Sequence, residues 1–194
     1  MEITSAQLKE LRDKTGISVM QCKRALEEAE GDMDKAVIIL KKKRSEAAEK
    51  KSDRELGAGA VGVYVHNTNE VAAMVLLACE TDFVSKNQEF VALAKEIAMQ
   101  VAATDPKYVS KDQIPAEALK KAEEVFATEV VGKPAEMQAK ILEGKMSAYF
   151  KEQILLEQPF IKNPDTTISE MISGAVQKFG ENVSVAQITR VSVK

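Results

Sequence analysis

Val71-Ala-Ala-Met-Val-Leu-Leu-Ala-Cys79, then Glu80-Thr81-Asp82-Phe83-Val84-Ser85-Lys86-Asn87, then Gln88-Glu-Phe-Val-Ala-Leu-Ala-Lys-Glu-Ile-Ala-Met-Gln-Val-Ala-Ala103: these three segments decide the fold. The first is a short, nearly continuous apolar run, which reads as a strand buried on both faces. In the third, Phe90, Leu93, Ala94, Ile97, Ala98, Val101 and Ala102 recur at helical spacing, so an amphipathic helix follows. The segment between them is a polar turn that sets an aromatic ring beside a carboxylate. Such a ring either wedges into a partner or folds back to plug the end of its own sheet, and burial is the commoner fate of Phe.

Outward from this unit, Val61, Val63 and Val65 alternate as a strand, separated from the apolar run by the turn-rich His66-Asn67-Thr68-Asn69-Glu70. Near the end of the sequence, Val183 to Val193 is rich in β-branched residues and follows Gly180-Glu-Asn182, predicting a third strand. Helices fill the interval. Pro115 and Pro134 each open one, and Gly144 is expected to separate the second from a further helix over 145–156. Thr167 with Glu170 forms a capping box for a last helix, which Gly180 stops. The expectation for residues 54–194 is an α+β core, a small antiparallel sheet of about three strands covered by helices. Its exposed sheet edges need covering or pairing.

The first fifty residues carry their own punctuation. Thr4 with Gln7 forms a capping box, Ile3 and Leu8 sit at the spacing of a hydrophobic staple, and Gly16 ends the helix. Ser18 with Gln21 starts a second helix that stops at Gly31, and Asp32 caps a third. Residues 1–53 therefore read as a three-helix bundle and its linker helix, similar in pattern to ubiquitin-associated (UBA-like) modules. So small a bundle cannot bury every apolar side chain. Val19 and Met20, at the start of the second helix, are the expected remainder.

Two motifs are decoys. Lys41 to Glu55 mixes acids with its bases and lacks interleaved aromatics, which favours a solvated helix over a nucleic-acid patch. Gly57-Ala-Gly59-Ala-Val-Gly62 matches G-x-G-x-x-G, but a charged linker precedes it and a strand follows, whereas the dinucleotide fingerprint follows a strand and opens a helix. These glycines fit a strand passing close to a neighbouring backbone.

With 194 residues, a net charge of −3 and no Trp, the chain has length for a real core and no basic excess for nucleic acid or anionic membranes. No apolar run reaches the length of a membrane span, and no secretory leader pattern opens the sequence. Cys22 and Cys79 lack metal-like spacing and read as packing thiols of a cytoplasmic protein. The single histidine, His66, lies in a turn, and no activated nucleophile, P-loop or acid pair stands out. The reading is of a protein that is not an enzyme and carries no cofactor and no metal.

The string Glu80-Thr81-Asp82-Phe83-Val84 in a strand-to-helix context resembles the signature of translation elongation factor Ts, the exchange factor for the GTPase elongation factor Tu. Four more blocks match the same family in order: Glu10-Leu-Arg-Asp-Lys-Thr-Gly16, Cys22-Lys-Arg-Ala-Leu26, Ile97-Ala-Met-Gln-Val-Ala-Ala103 and Gln158-Pro-Phe-Ile-Lys162. One departure is Glu70-Val-Ala-Ala-Met-Val-Leu76, where a Gly-Arg-Val-Gly-Val-Leu-like strand is expected. The resemblance implies guanine-nucleotide exchange without a covalent step. Thr81, Asp82, Phe83 and Val84 would form a wedge that disturbs the magnesium and phosphate site of the GTPase, so that GDP leaves and GTP binds. It further implies that Lys9, Arg12, Val19 and Met20 dock on the GTPase domain and that the strand end at His66 faces its third domain. A second core repeat of longer family members is missing, which implies a homodimer and a 2:2 complex. Two other classes stay in view: an adaptor that uses the three-helix module, and a small nucleotide-dependent enzyme built on the glycine run.

Overall fold

A computed structural model of the chain describes residues 3–130 and 134–193. The chain forms two compact units, one of residues 1–54 with 173–182, the other of residues 55–172 with 183–194.

The first unit is built on three helices, α1 (Ser5–Thr15), α2 (Val19–Glu28) and α3 (Met33–Glu49). Each starts on the cap its sequence announces. Thr4 and Gln7 close a reciprocal capping box, Ser18 accepts from the Gln21 amide, and Asp32 accepts from the amides of Asp34 and Lys35. Gly16 and Gly31 take left-handed backbone (φ 66° and 86°) where α1 and α2 give way to turns. Leu11, Ile17, Cys22, Ala25, Leu26, Ala36 and Leu40 form the core, with Ile3 and Leu8 packed against it. Residues 173–182 complete this unit through polar bonds. Gln177 accepts from Arg44 Nε at 3.2 Å and donates to Gln21 Oε1 at 3.1 Å, while Lys51 Nζ donates to the Gly180 carbonyl at 2.7 Å. Asn182 donates to the carbonyls of Ser52 and Arg54.

The second unit is an α+β fold on a three-stranded antiparallel sheet. Strands β1 (Ala58–Val65), β2 (Val71–Cys79) and, further along, β5 (Val183–Ser192) are ordered β1-β2-β5. The single-turn helix α4 (Asp82–Ser85) follows β2, and α5 (Gln88–Thr104) then lies across β1 and β2. Beyond it come α6 (Ala116–Glu129), α7 (Ala135–Lys151), a two-stranded ribbon of β3 (Pro159–Phe160) and β4 (Asn163–Thr167), and α8 (Ile168–Phe179), which begins in this unit and ends in the other.

Contact between α5 and β1 is extremely close. A methyl group placed on Gly62 would stand 2.1 Å from the Ala94 carbonyl oxygen, so only hydrogen fits there. At Gly59 the same methyl would stand 2.7 Å from the Leu77 carbonyl. The glycine run therefore serves backbone approach inside a sheet and opens no helix. Further along, α5 holds the ribbon through the fully buried Gln100. This side chain donates to Gln158 Oε1 (3.0 Å) and the Pro159 carbonyl (3.2 Å) and accepts from the Ile161 amide (2.9 Å). Thr104 adds a 2.7 Å bond to Gln158 Oε1. A buried amide satisfied at both ends fixes geometry better than an apolar contact of the same size.

Three features differ from the sequence expectations. β2 is buried on one face only: Ala73, Val75 and Leu77 point inward, whereas Met74 and Leu76 are 48% and 37% exposed. An apolar run has the same composition whether its second face is covered or open. Gly144 does not end a helix, because α7 continues through it to Lys151, with good helix formers on both sides. The β3–β4 ribbon was not foreseen, since two-residue strands leave no periodic trace.

Two glycine substitutions should thus act with opposite signs. Gly62→Ala drives a methyl into backbone and should cost about 1–3 kcal/mol or more. Gly144→Ala meets nothing within 4 Å and should stabilise α7 by about 0.5–1 kcal/mol. Thermal melts of the two variants against the parent protein would check both.

Candidate functional site

The segment between β2 and α5 is built by alternating anchors. Cys79, fully buried at the end of β2, donates its thiol to the Thr81 carbonyl at 3.2 Å. From extended Thr81 the chain makes one helical turn, tied by the Ser85 amide to the Thr81 carbonyl (3.2 Å) and by Ser85 Oγ to the Asp82 carbonyl (3.1 Å). Val84 points inward and is 4% exposed, and Phe90 in the first turn of α5 is fully buried. Asn87 caps α5 by accepting from the Glu89 amide at 2.8 Å. With Val84 and Phe90 both turned in, residue 83 projects outward: Phe83 is 83% exposed, the most exposed of the large hydrophobic side chains described.

Asp82 lies beside this ring. Its Oδ2 accepts from Lys86 Nζ at 2.6 Å, one turn further on, and both side chains are open to solvent. The hydrogen bond from Lys86, and then its charge, hold the Asp82 carboxyl below the usual carboxylate range. The tip is therefore a bare aromatic ring next to an ionised, loosely paired carboxylate.

Of the four residues assigned to a wedge, Thr81, Asp82 and Phe83 are exposed and Val84 is not. Val84 seats the turn in the core and so carries the exposed residues beside it. Folding back of Phe83 as a plug is excluded by its exposure. In the other unit Lys9 and Arg12 lie exposed on α1, three residues apart, and Val19 and Met20 are 45% and 62% exposed at the first two positions of α2. Ile17, just before them, goes into the core, which accounts for the direction of its neighbours. His66 is exposed in the β1–β2 turn. Its Nδ1 lies 3.0 Å from Thr68 Oγ1, and its ring centroid is 6.4 Å from that of Tyr64.

Sequence reading missed one apolar surface. Val61, Val63, Val65, Met74, Leu76 and Val191 all stand exposed on the sheet face opposite α5, and the register aligns Val61 with Leu76 and Val63 with Met74. The alternation of Val61, Val63 and Val65 carried half of that signal. The two-sided reading of β2 concealed the rest. Among the described residues no group of His, Cys, Asp and Glu is arranged to hold a metal ion, and no helix is long and apolar enough to cross a membrane.

A profile of the family described as "Elongation factor TS" matches residues 47–194. Relatives with the name Elongation factor Ts extend the match over nearly the whole chain. The protein of Heliobacterium modesticaldum is 45% identical, covering 97% of this chain and 88% of its own. That of Thermodesulfovibrio yellowstonii is 45% identical over all of this chain and 97% of its own, and that of Herpetosiphon aurantiacus 42% over all of this chain and 98% of its own. These matches define a translation elongation factor. The chain belongs to the elongation factor Ts family.

The two neighbouring side chains on α4 should separate cleanly in stability. Val84→Ala removes two buried carbons and should cost about 2 kcal/mol. Phe83→Ala removes a ring that is mostly in water and should melt within a few degrees of the parent protein. Thermal or denaturant unfolding of both variants measures the contrast.

Proposed function

We propose that the chain is a guanine-nucleotide exchange factor for the GTPase elongation factor Tu. The observation that carries this reading is the exposure of Phe83 on a turn whose other anchors are buried. An aromatic ring held in water on a rigid base is already organised for insertion into a partner, and little ordering remains to oppose docking. In this reading the ring enters between helices of the GTPase domain near the nucleotide-bound magnesium, and Asp82 works beside it. Contacts to magnesium and phosphate weaken, and GDP leaves. The factor binds the distorted or nucleotide-free state more tightly, so it must weaken nucleotide binding by the same factor. No covalent step and no cofactor of its own are required.

Docking is shared with the N-terminal unit. Val19 and Met20 supply exposed apolar side chains, of which Met adapts readily to a partner surface, and Lys9 and Arg12 supply charge. His66 is a lesser contact toward the third domain of the GTPase. The open sheet face, apolar across three strands, supports association of two chains into a twofold homodimer and a 2:2 complex with the GTPase. This replaces the sheet edge as the expected driver, because the apolar area lies on the face.

Release of labelled GDP from elongation factor Tu tests the exchange reading. A buried aromatic anchor is worth about 2 kcal/mol or more, roughly thirtyfold. Phe83→Ala should therefore lose most of its stimulation while keeping its melting temperature. A large drop in melting temperature with normal exchange by the folded fraction would make the ring structural and end the wedge assignment. Assembly is checked by light scattering. The parent protein should have the mass of a dimer at high micromolar concentration and Met74→Glu that of a monomer, and a monomeric parent would remove the dimer from the reading.

A further inference from the structure

The exchange reading leaves one charged group at the tip without a role. Lys86 follows Asp82 by four residues and Phe83 by three, spacings that bring its side chain beside both on one helical turn. Its ammonium reaches Asp82 Oδ2 at 2.6 Å while both side chains remain 75% exposed. A pair this exposed adds little to stability. It is not what holds α4 together, since buried Val84 and the bonds from Ser85 do that.

The carboxylate has two local homes. One lies across the turn at Lys86. The other lies back at the start of α4, where Asp, Asn and Ser side chains commonly settle on backbone amides. In this structure the carboxylate sits at Lys86, 2.6 Å away, and Lys86 is the leading cause of its lowered titration, with the amides of Asp82 and Phe83 contributing least. A carboxylate folded onto its own backbone is turned away from a docking partner. One held by an exposed ammonium stays beside the ring and is given up readily.

We propose that Lys86 is a positioning residue for nucleotide exchange: its ammonium holds the Asp82 carboxylate across the turn, on the side of Phe83, and yields it to the GTPase when the ring docks. This inference rests on the exchange reading. Lys86 acts through Asp82 and makes no essential contact of its own.

GDP release from elongation factor Tu, followed over a range of factor concentrations, tests it with Lys86→Gln, Lys86→Arg, Asp82→Asn and the double variant Lys86→Gln/Asp82→Asn. All four should melt with the parent protein. Lys86→Gln should lower the maximal release rate about three- to tenfold and change the half-saturating concentration less than about twofold, the pattern of an interaction made in the transition state alone. Lys86→Arg keeps the cation at the same spacing and should restore the rate to within about twofold. In the Asp82→Asn background Lys86→Gln should add no further loss, because residues that act as one unit are not additive. Parent-like kinetics for Lys86→Gln, or losses that multiply in the double variant, would overturn the proposal, the latter by giving Lys86 a partner contact of its own. Should Asp82→Asn and Phe83→Ala both stimulate release normally, the exchange reading itself fails and this inference goes with it.

Discussion

The structure of the second unit depends on the approach of α5 to β1 at Gly62, where the Ala94 carbonyl leaves space for a hydrogen and nothing larger. Close packing at one point removes the freedom of a helix to slide or roll on a sheet, because interiors resist displacement as crystals do. With the helix held there, Phe90 has a fixed place in the core, and the distance from Cys79 to Phe90 must be bridged by a turn with its own inward residue. Val84 fills that need. Phe83 is the next residue round the helix and has no interior left to enter. The exposed ring is thus a consequence of how the two flanking elements close.

Further along, α5 is held differently. Ala94 meets the sheet at Gly62, whereas Gln100 grips the ribbon through bonds to Gln158, Pro159 and Ile161. Apolar contact gives α5 its stability, and the amide gives it a unique register against the ribbon. A tip that works on another protein needs such a base. An aromatic ring on a mobile support would surrender to ordering much of what it gains by insertion.

Much of this was legible in the sequence. The caps at Thr4, Ser18, Asp32 and Thr167 announced their helices because capping is local chemistry, confined to three or four residues. The glycine run at 57–62 was correctly separated from a dinucleotide site by what preceded and followed it. The tip residues Asp82 and Phe83 were recognisable from their string, but whether the ring faced water or the core depended on Val84 and Phe90, which no short window reveals. The open sheet face was obscured for a related reason: Met74 and Leu76 look like core residues by composition, and only the placement of α5 on one side shows otherwise. Gly144 misled because a lone glycine reads as a stop, while the helix formers around it carry α7 through. Completion of the first unit by residues 173–182 lay beyond any local pattern.

That completion bears on how the chain emerges from the ribosome. Residues 54 and 173 belong to the same unit but are separated by the whole helical and sheet region between them. At about 5–20 residues per second, roughly 6 to 24 s pass between the synthesis of one and the other. Helices α1 to α3 carry their own caps and apolar core and have the means to form early. For that interval the polar groups of Gln21, Arg44 and Lys51 have only water where Gln177 and Gly180 will later stand. Hydration satisfies these groups during the wait, where an apolar face left open as long would invite aggregation. A seam of amides and cations is therefore well suited to joining the first-made and last-made parts of a chain.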